Sequence, residues 1–79
     1  MVLKKNIAVS DSGFLFNPAT GDSYSLNETG IAFLRLIQNG QSDDQIIAQV
    51  AAEFDIDAIT IEKDLSDFKS NLVRFKLTE

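Results

Sequence analysis

The sequence has no cysteine, no histidine and no tryptophan, and only one proline. Without cysteine there is no disulfide staple, no thiolate nucleophile and no cysteine-based zinc site, a usage that fits a reducing compartment. Without histidine, serine–histidine and cysteine–histidine nucleophilic pairs, imidazole metal ligands and proton shuttles are excluded by count. Positive charge is also scarce. Seven lysines and arginines against twelve aspartates and glutamates leave a net charge of −5, the wrong sign for a chain whose main task is to hold phosphate backbones. No apolar run approaches the roughly 20 residues of a membrane span. Met1-Val2-Leu3-Lys4-Lys5-Asn6 carries no apolar stretch behind its lysines, so neither a membrane segment nor a signal peptide is expected, and a cytoplasmic protein is. What is present is a globular composition, 44% apolar over 79 residues. That length predicts one domain, residues 1–79.

The apolar pattern changes period near Leu26. Before it, Ile7-Ala8-Val9, Phe14-Leu15-Phe16 and Ser23-Tyr24-Ser25-Leu26 are short strand-like runs. They are separated by the turn formers Ser10-Asp11-Ser12-Gly13 and Asn17-Pro18-Ala19-Thr20-Gly21-Asp22. Pro18 presets one corner of the second turn, and Gly21 can take the left-handed conformation of a bulged exit. Tyr24 and Leu26 are expected to point inward and the two serines outward. The spacing predicts a three-stranded antiparallel meander over residues 5–26.

After Leu26 the spacing is helical. Asn27 reads as an N-cap before the stripe Gly30, Ile31, Phe33, Leu34 and Ile37, with Asn39-Gly40 as the stop. Ser42-Asp43-Asp44-Gln45 is a capping box before Ile46, Ile47, Val50, Ala51 and Phe54. Asp57 caps a third helix carrying Ile61, Leu65, Phe68 and Leu72, and Val73, Phe75 and Leu77 prolong its apolar tail. Helices are therefore expected over residues 28–39, 43–54 and 58–73. The predicted fold is α+β, a βββααα order with a three-helix bundle behind a small sheet, like a winged helix-turn-helix.

Four stretches carry a resemblance. Thr20-Gly21, Tyr24, Leu26-Asn27 and Gly30 occur at fixed spacing between the last strand and first helix. Ile37-Gln38-Asn39-Gly40-Gln41-Ser42 forms the break before the second helix. Phe54-Asp55-Ile56-Asp57 and then Asp64-Leu65-Ser66-Asp67-Phe68 with Leu72 make the joint and body of the third. In order and spacing, from residue 3 to 77, the chain resembles the PqqD-like family of peptide chaperones. It departs from the family where Arg74-Phe75-Lys76-Leu77 replaces a glycine and two apolar residues after the last helix. The resemblance implies a non-enzymatic module that recognises the leader segment of a ribosomally made precursor peptide. Such a module presents the leader to a modifying enzyme, for example a radical SAM protein, or accompanies a kinase-like partner. It implies no cofactor, and the residues set no oligomeric state.

In that family the leader adds as a further strand beside the third strand, over a groove bounded by the third helix. The residues make this sensible, because a three-stranded meander leaves an edge of unpaired amides and carbonyls. The segment Asp22, Ser23, Tyr24, Ser25 and Leu26 has neither lysine nor proline to block pairing. Two readings of that edge stand: a peptide pairs with it, or the third helix or a second copy of the domain covers it. On the third helix, Asp64, Phe68, Asn71 and Phe75 form the row next to the core stripe and are the predicted groove wall. Phe68 belongs to both rows, and Phe75 is either an apolar contact awaiting a partner or part of a frayed end.

A winged helix-turn-helix DNA-binding or protein-interaction module is the alternative from another class. Charge speaks against DNA. Residues 57–76 balance Asp57, Glu62, Asp64 and Asp67 with Lys63, Lys69, Arg74 and Lys76, and the second helix has three acids and no base. Enzymatic candidates are equally poor. Asp43-Asp44 and Asp55-x-Asp57 read as helix-end charges, without the oxygen ligands and glycine of a calcium loop. Thr20-Gly21 and Asn39-Gly40 are turn glycines rather than a phosphate cradle. We therefore expect the thermal midpoint to be the same with and without zinc, magnesium or ATP, since a ligand of the native state alone must raise it. A reproducible rise of several degrees with any of them refutes this inventory, as does a low-salt mobility shift with random duplex for the exclusion of DNA.

Overall fold

The computed structural model describes residues 1–79. Its elements run β1 (Ala8–Val9), β2 (Phe14–Asn17), β3 (Asp22–Ser25), α1 (Glu28–Gln38), α2 (Asp43–Phe54) and α3 (Ala58–Arg74). The three strands form one antiparallel sheet in the order β1-β2-β3. The predicted α+β architecture, βββααα, is the observed one. The first strand is shorter than expected. Ile7 lies outside it, in a turn whose amide reaches the Lys4 carbonyl, and its side chain is buried in the core.

The hairpin between β2 and β3 follows from its turn residues. The Asn17 carbonyl accepts from the amides of Thr20 at 3.3 Å and Gly21 at 2.8 Å, and Gly21 has φ 79°. This is a tight turn followed by a left-handed bulge residue. Asn17 itself is buried, and its Oδ1 accepts from the Ala19 amide at 3.0 Å, so its polar group is satisfied locally. Alternation along β2 then puts Leu15 into the core and turns Phe14 and Phe16 outward.

Each helix begins on the cap that its sequence calls for. Asn27 Oδ1 accepts from the Gly30 amide at 2.8 Å, and Asp57 Oδ2 accepts from the Thr60 amide at 3.3 Å. Ser42 and Gln45 make the reciprocal pair of a capping box, at 3.2 and 2.9 Å. Each helix also ends on a left-handed residue: Gly40 (φ 79°), Asp55 (φ 53°) and Lys76 (φ 59°). Behind α3 the closure is complete, with Leu77 N–H donating to the Leu72 carbonyl and Lys76 N–H to the Val73 carbonyl, both at 3.0 Å. That is the Schellman pattern, whose usual apolar contact is met by buried Leu72 and Leu77. Lys76 thus adopts, without a glycine, the turn that a glycine would make.

The core joins Leu15 of the sheet to Phe33, Leu34 and Ile37 of α1, Ile46 and Val50 of α2, and Ile61, Leu65 and Leu72 of α3. Leu3, Ile7 and Leu77 close it at the chain ends. Phe54 and Phe68 are half-buried against the cluster rather than inside it, and Val73 is exposed. The two ends clasp each other. Leu3 bridges Thr78, with Lys4 N–H to the Leu77 carbonyl at 2.9 Å and Glu79 N–H to the Val2 carbonyl at 2.8 Å. Two substitutions probe this packing. Leu65→Ala is expected to cost about 2–5 kcal/mol by leaving a cavity. Lys76→Gly is expected to stabilise by about 1 kcal/mol by relieving the left-handed penalty. Urea midpoints at unchanged slope check both, and a Lys76→Gly midpoint at or below the parent refutes the strained-turn account.

Candidate functional site

The outer strand β3 presents an unoccupied ladder. The Leu26 amide donates to the Gly13 carbonyl at 2.7 Å, and Tyr24 pairs with Leu15. In an antiparallel pair the backbone groups of successive residues alternate between the two sides of the strand. Tyr24 and Leu26 therefore direct their backbone groups toward β2, and Ser23 and Ser25 direct theirs away from it. No bond from Ser23 or Ser25 to any loop, turn or helix occurs. Two amides and two carbonyls thus lie open along the sheet edge. α3 does not cover this edge.

Beneath the edge, on the inner face, lies a cavity of about 620 Å³ between β3, α3 and the first turn of α1. Tyr24, Ser25 and Leu26 border it on one side and Phe68, Asn71 and Phe75 on the other. Leu15, Leu72 and Leu77 form its floor, and Asn27 and Gly30 close one end. Gly30 keeps that end open: a Cβ there would sit 3.1 Å from Asn27 Oδ1 and 3.5 Å from the Phe68 ring. A smaller hollow of about 270 Å³ continues past Phe68 and Asn71 to Asp64 and Asp67. Along the groove Tyr24 of β3 stacks on Phe75, and Gly30 of α1 lies beside Phe68.

The groove wall is ordered by side-chain stacking. The Tyr24 and Phe75 rings lie 4.6 Å apart at 22°, and the Arg74 guanidinium sits 5.2 Å from the Phe75 centroid on the same ring system. Arg74 Nη2 also donates to Asn71 Oδ1 at 2.9 Å. Offset stacking and a cation beside a ring are each favourable by about a kilocalorie per mole or less at such sites. Together they hold Phe75, which is 37% exposed, as a fixed wall rather than a frayed end. Phe68 serves both rows, tilted against Phe33 at 5.6 Å on its core side and bordering the groove on the other.

The structure brings Tyr24, Ser25, Leu26, Phe68, Asn71 and Phe75 around one cavity. Asp64 stands at its continuation, and Asp22 and Ser23 lie farther along the strand, outside the cavity itself. Sequence reasoning missed Gly30, Asn27 and Arg74. In the sequence alone Asn27 reads as a cap and Gly30 as a core stripe residue. The i, i+3 spacing of Asn71 and Arg74 was the available signal for the last contact. A larger hollow of about 710 Å³ lies on the other side of α3, against α2. Its rim is polar, crossed by the Lys69–Asp43 ion pair at 2.8 Å, and both of its flanks are helices that offer no strand edge.

Fold and site define a class: small winged-helix-like domains that keep one strand edge open above a helix-walled apolar groove. The family model for coenzyme PQQ synthesis protein D (PqqD) matches residues 13–77, and the chain belongs to that family. Among solved structures, TbiB1 in complex with the TbiA(β) leader peptide is similar at 28% identity and TM-score 0.85, over 100% of this chain and 95% of that one. Lasso peptide synthetase B1 complexed with the leader peptide has the same fold, with 21% identity and TM-score 0.82 over 91% and 88% of the two chains. The comparison with curated proteins gives no match. No helix is long and apolar enough to cross a membrane.

A stacked ring and a core side chain differ in what their removal costs. Phe75→Ala is expected to lower stability by about 1 kcal/mol, the scale of a lost aromatic pair, and to leave the helical circular-dichroism signal intact. A loss as large as that of Leu65→Ala would make Phe75 a core residue and remove it from the wall.

Proposed function

We propose that this domain binds the leader segment of a ribosomally synthesised precursor peptide as an added strand on β3 and presents it to a peptide-modifying enzyme, such as a radical SAM protein. The observation that carries the reading is the pair of open backbone positions, Ser23 and Ser25, on the strand whose Tyr24, Ser25 and Leu26 border the apolar groove. Backbone pairing supplies affinity for any extended chain, and the groove between Tyr24, Phe68, Asn71 and Phe75 selects which side chains may lie beneath it. Membership of the PqqD family supports the reading, and so does the similarity to a protein solved with its leader peptide. The domain itself is a non-catalytic, cytoplasmic carrier in this proposal. Its acids lie at helix ends and on exposed faces, and no group of three or more potential metal-ligating side chains gathers.

The backbone geometry distinguishes neighbouring positions sharply. Ser25→Ala should leave affinity for a synthetic leader peptide nearly unchanged, because the side chain makes none of the proposed bonds. Ser25→Pro removes an outward donor and should weaken binding by tenfold or more, whereas Tyr24→Pro breaks the β2–β3 ladder and should destabilise the fold. In isotopically labelled protein, leader titration should move amides of residues 22–26 and 61–75. Shifts confined to residues 43–54 would discard the groove, and full affinity of a folded Ser25→Pro variant would discard strand addition.

A further inference from the structure

The outer face of the sheet carries a feature that the groove does not use. Phe14 and Phe16 stand 52% and 42% exposed there. Their cross-strand partners on β3 are Ser25 and Ser23, and Ala8 lies opposite Phe16 on β1. Small residues flank the two rings on both sides, so the rings form a ridge beside a shelf of two serines. A strand added to β3 lies about 4.8 Å beyond it and about 10 Å from β2. Its residues opposite Ser23 and Ser25 must place their side chains on this outer face, because facing residues share a face of the sheet. The serine side chains are too short to fill the space between that strand and the rings. A long apolar side chain reaching over the shelf would meet a phenyl ring and cover it.

We propose that the domain reads both faces of its peptide: the residue over Tyr24 enters the groove, and its two neighbours lay apolar side chains over Ser23 and Ser25 against Phe16 and Phe14. The ligand is then a peptide with three consecutive apolar residues, rather than one alternating apolar and polar. This inference rests on strand addition to β3 and concerns the face that strand addition leaves outward. The peptide is the occupant that fits, because the register places its side chains on the shelf without any further interface. The ridge is continuous with the open edge.

Selection of a random decapeptide library displayed on phage against three proteins tests it: the parent, F14T/F16T and S25P. Threonine keeps strand propensity at exposed positions, so the double variant should melt close to the parent. If it does not fold, F16T alone carries the comparison. The parent should enrich peptides with an apolar residue flanked on both sides by apolar residues. The double variant should keep the central preference, lose both flanking ones, and bind a parent-selected peptide about tenfold more weakly. Identical flanking preferences for the parent and the ring variant would overturn the two-faced reading, and would also be the result if the ridge served a second copy or another protein. Undiminished binding of the same peptides by S25P, or no enrichment by the parent, would instead overturn strand addition itself, and the inference with it.

Discussion

The left-handed turn at Lys76 is the constraint on which the site depends. It ends α3, throws Leu77 back onto Leu72, and lets the Leu77 carbonyl accept from Lys4. The same geometry fixes where Phe75 falls, one residue before the turn, against Tyr24 of the outer strand. Were the helix to continue for another turn, Phe75 would rotate with it and the floor residue Leu77 would leave the core. The groove is therefore a product of helix termination. A left-handed lysine stores strain of about 1–2 kcal/mol, and burial of Leu77 is large enough to hold it, since covering a leucine contributes about 1.5–3 kcal/mol.

A sheet of three strands cannot close on itself, so it needs the helices behind it for stability. The helices cover its inner face at Leu15 and leave a gap at its outer strand. Gly30 keeps this gap clear, and the ring stack keeps it from collapsing. The groove thus shares its floor, Leu15, Leu72 and Leu77, with the core, while its walls come from other residues. Leu65 and Ile61 are fully inside, whereas the groove wall is drawn from half-buried and exposed positions.

Much of this was legible in the residues. The helix boundaries follow from caps that act locally: Asn27, Ser42 with Gln45, and Asp57 each bond an amide within three residues, so a linear pattern contains the whole interaction. The row from Asp64 to Phe75 was likewise visible, because helix geometry alone places it. What the pattern could not supply was long-range. Nothing local indicates that Ile7 leaves its strand to plug the core, or that the Leu3 and Thr78 backbones meet. The alternation of backbone groups on β3 needed the pairing register, and the exposure of Phe14 and Phe16 needed knowledge of which sheet face the helices cover. The missing glycine after α3 left its closing turn unspecified, and the turn formed anyway because Leu77 had a place to go.

The clasp between the chain ends has a consequence for anything joined to them. Leu3 and Thr78 bridge side by side, and Leu77, next in line, is part of the groove floor. A segment fused to either end therefore departs from nearly the same place, next to the groove wall. Through a short flexible connection it would be held at roughly millimolar effective concentration near the site. A weakly binding peptide or enzyme tethered there would meet the open edge as an intramolecular neighbour rather than as a dilute solute, from whichever end of the chain it was attached.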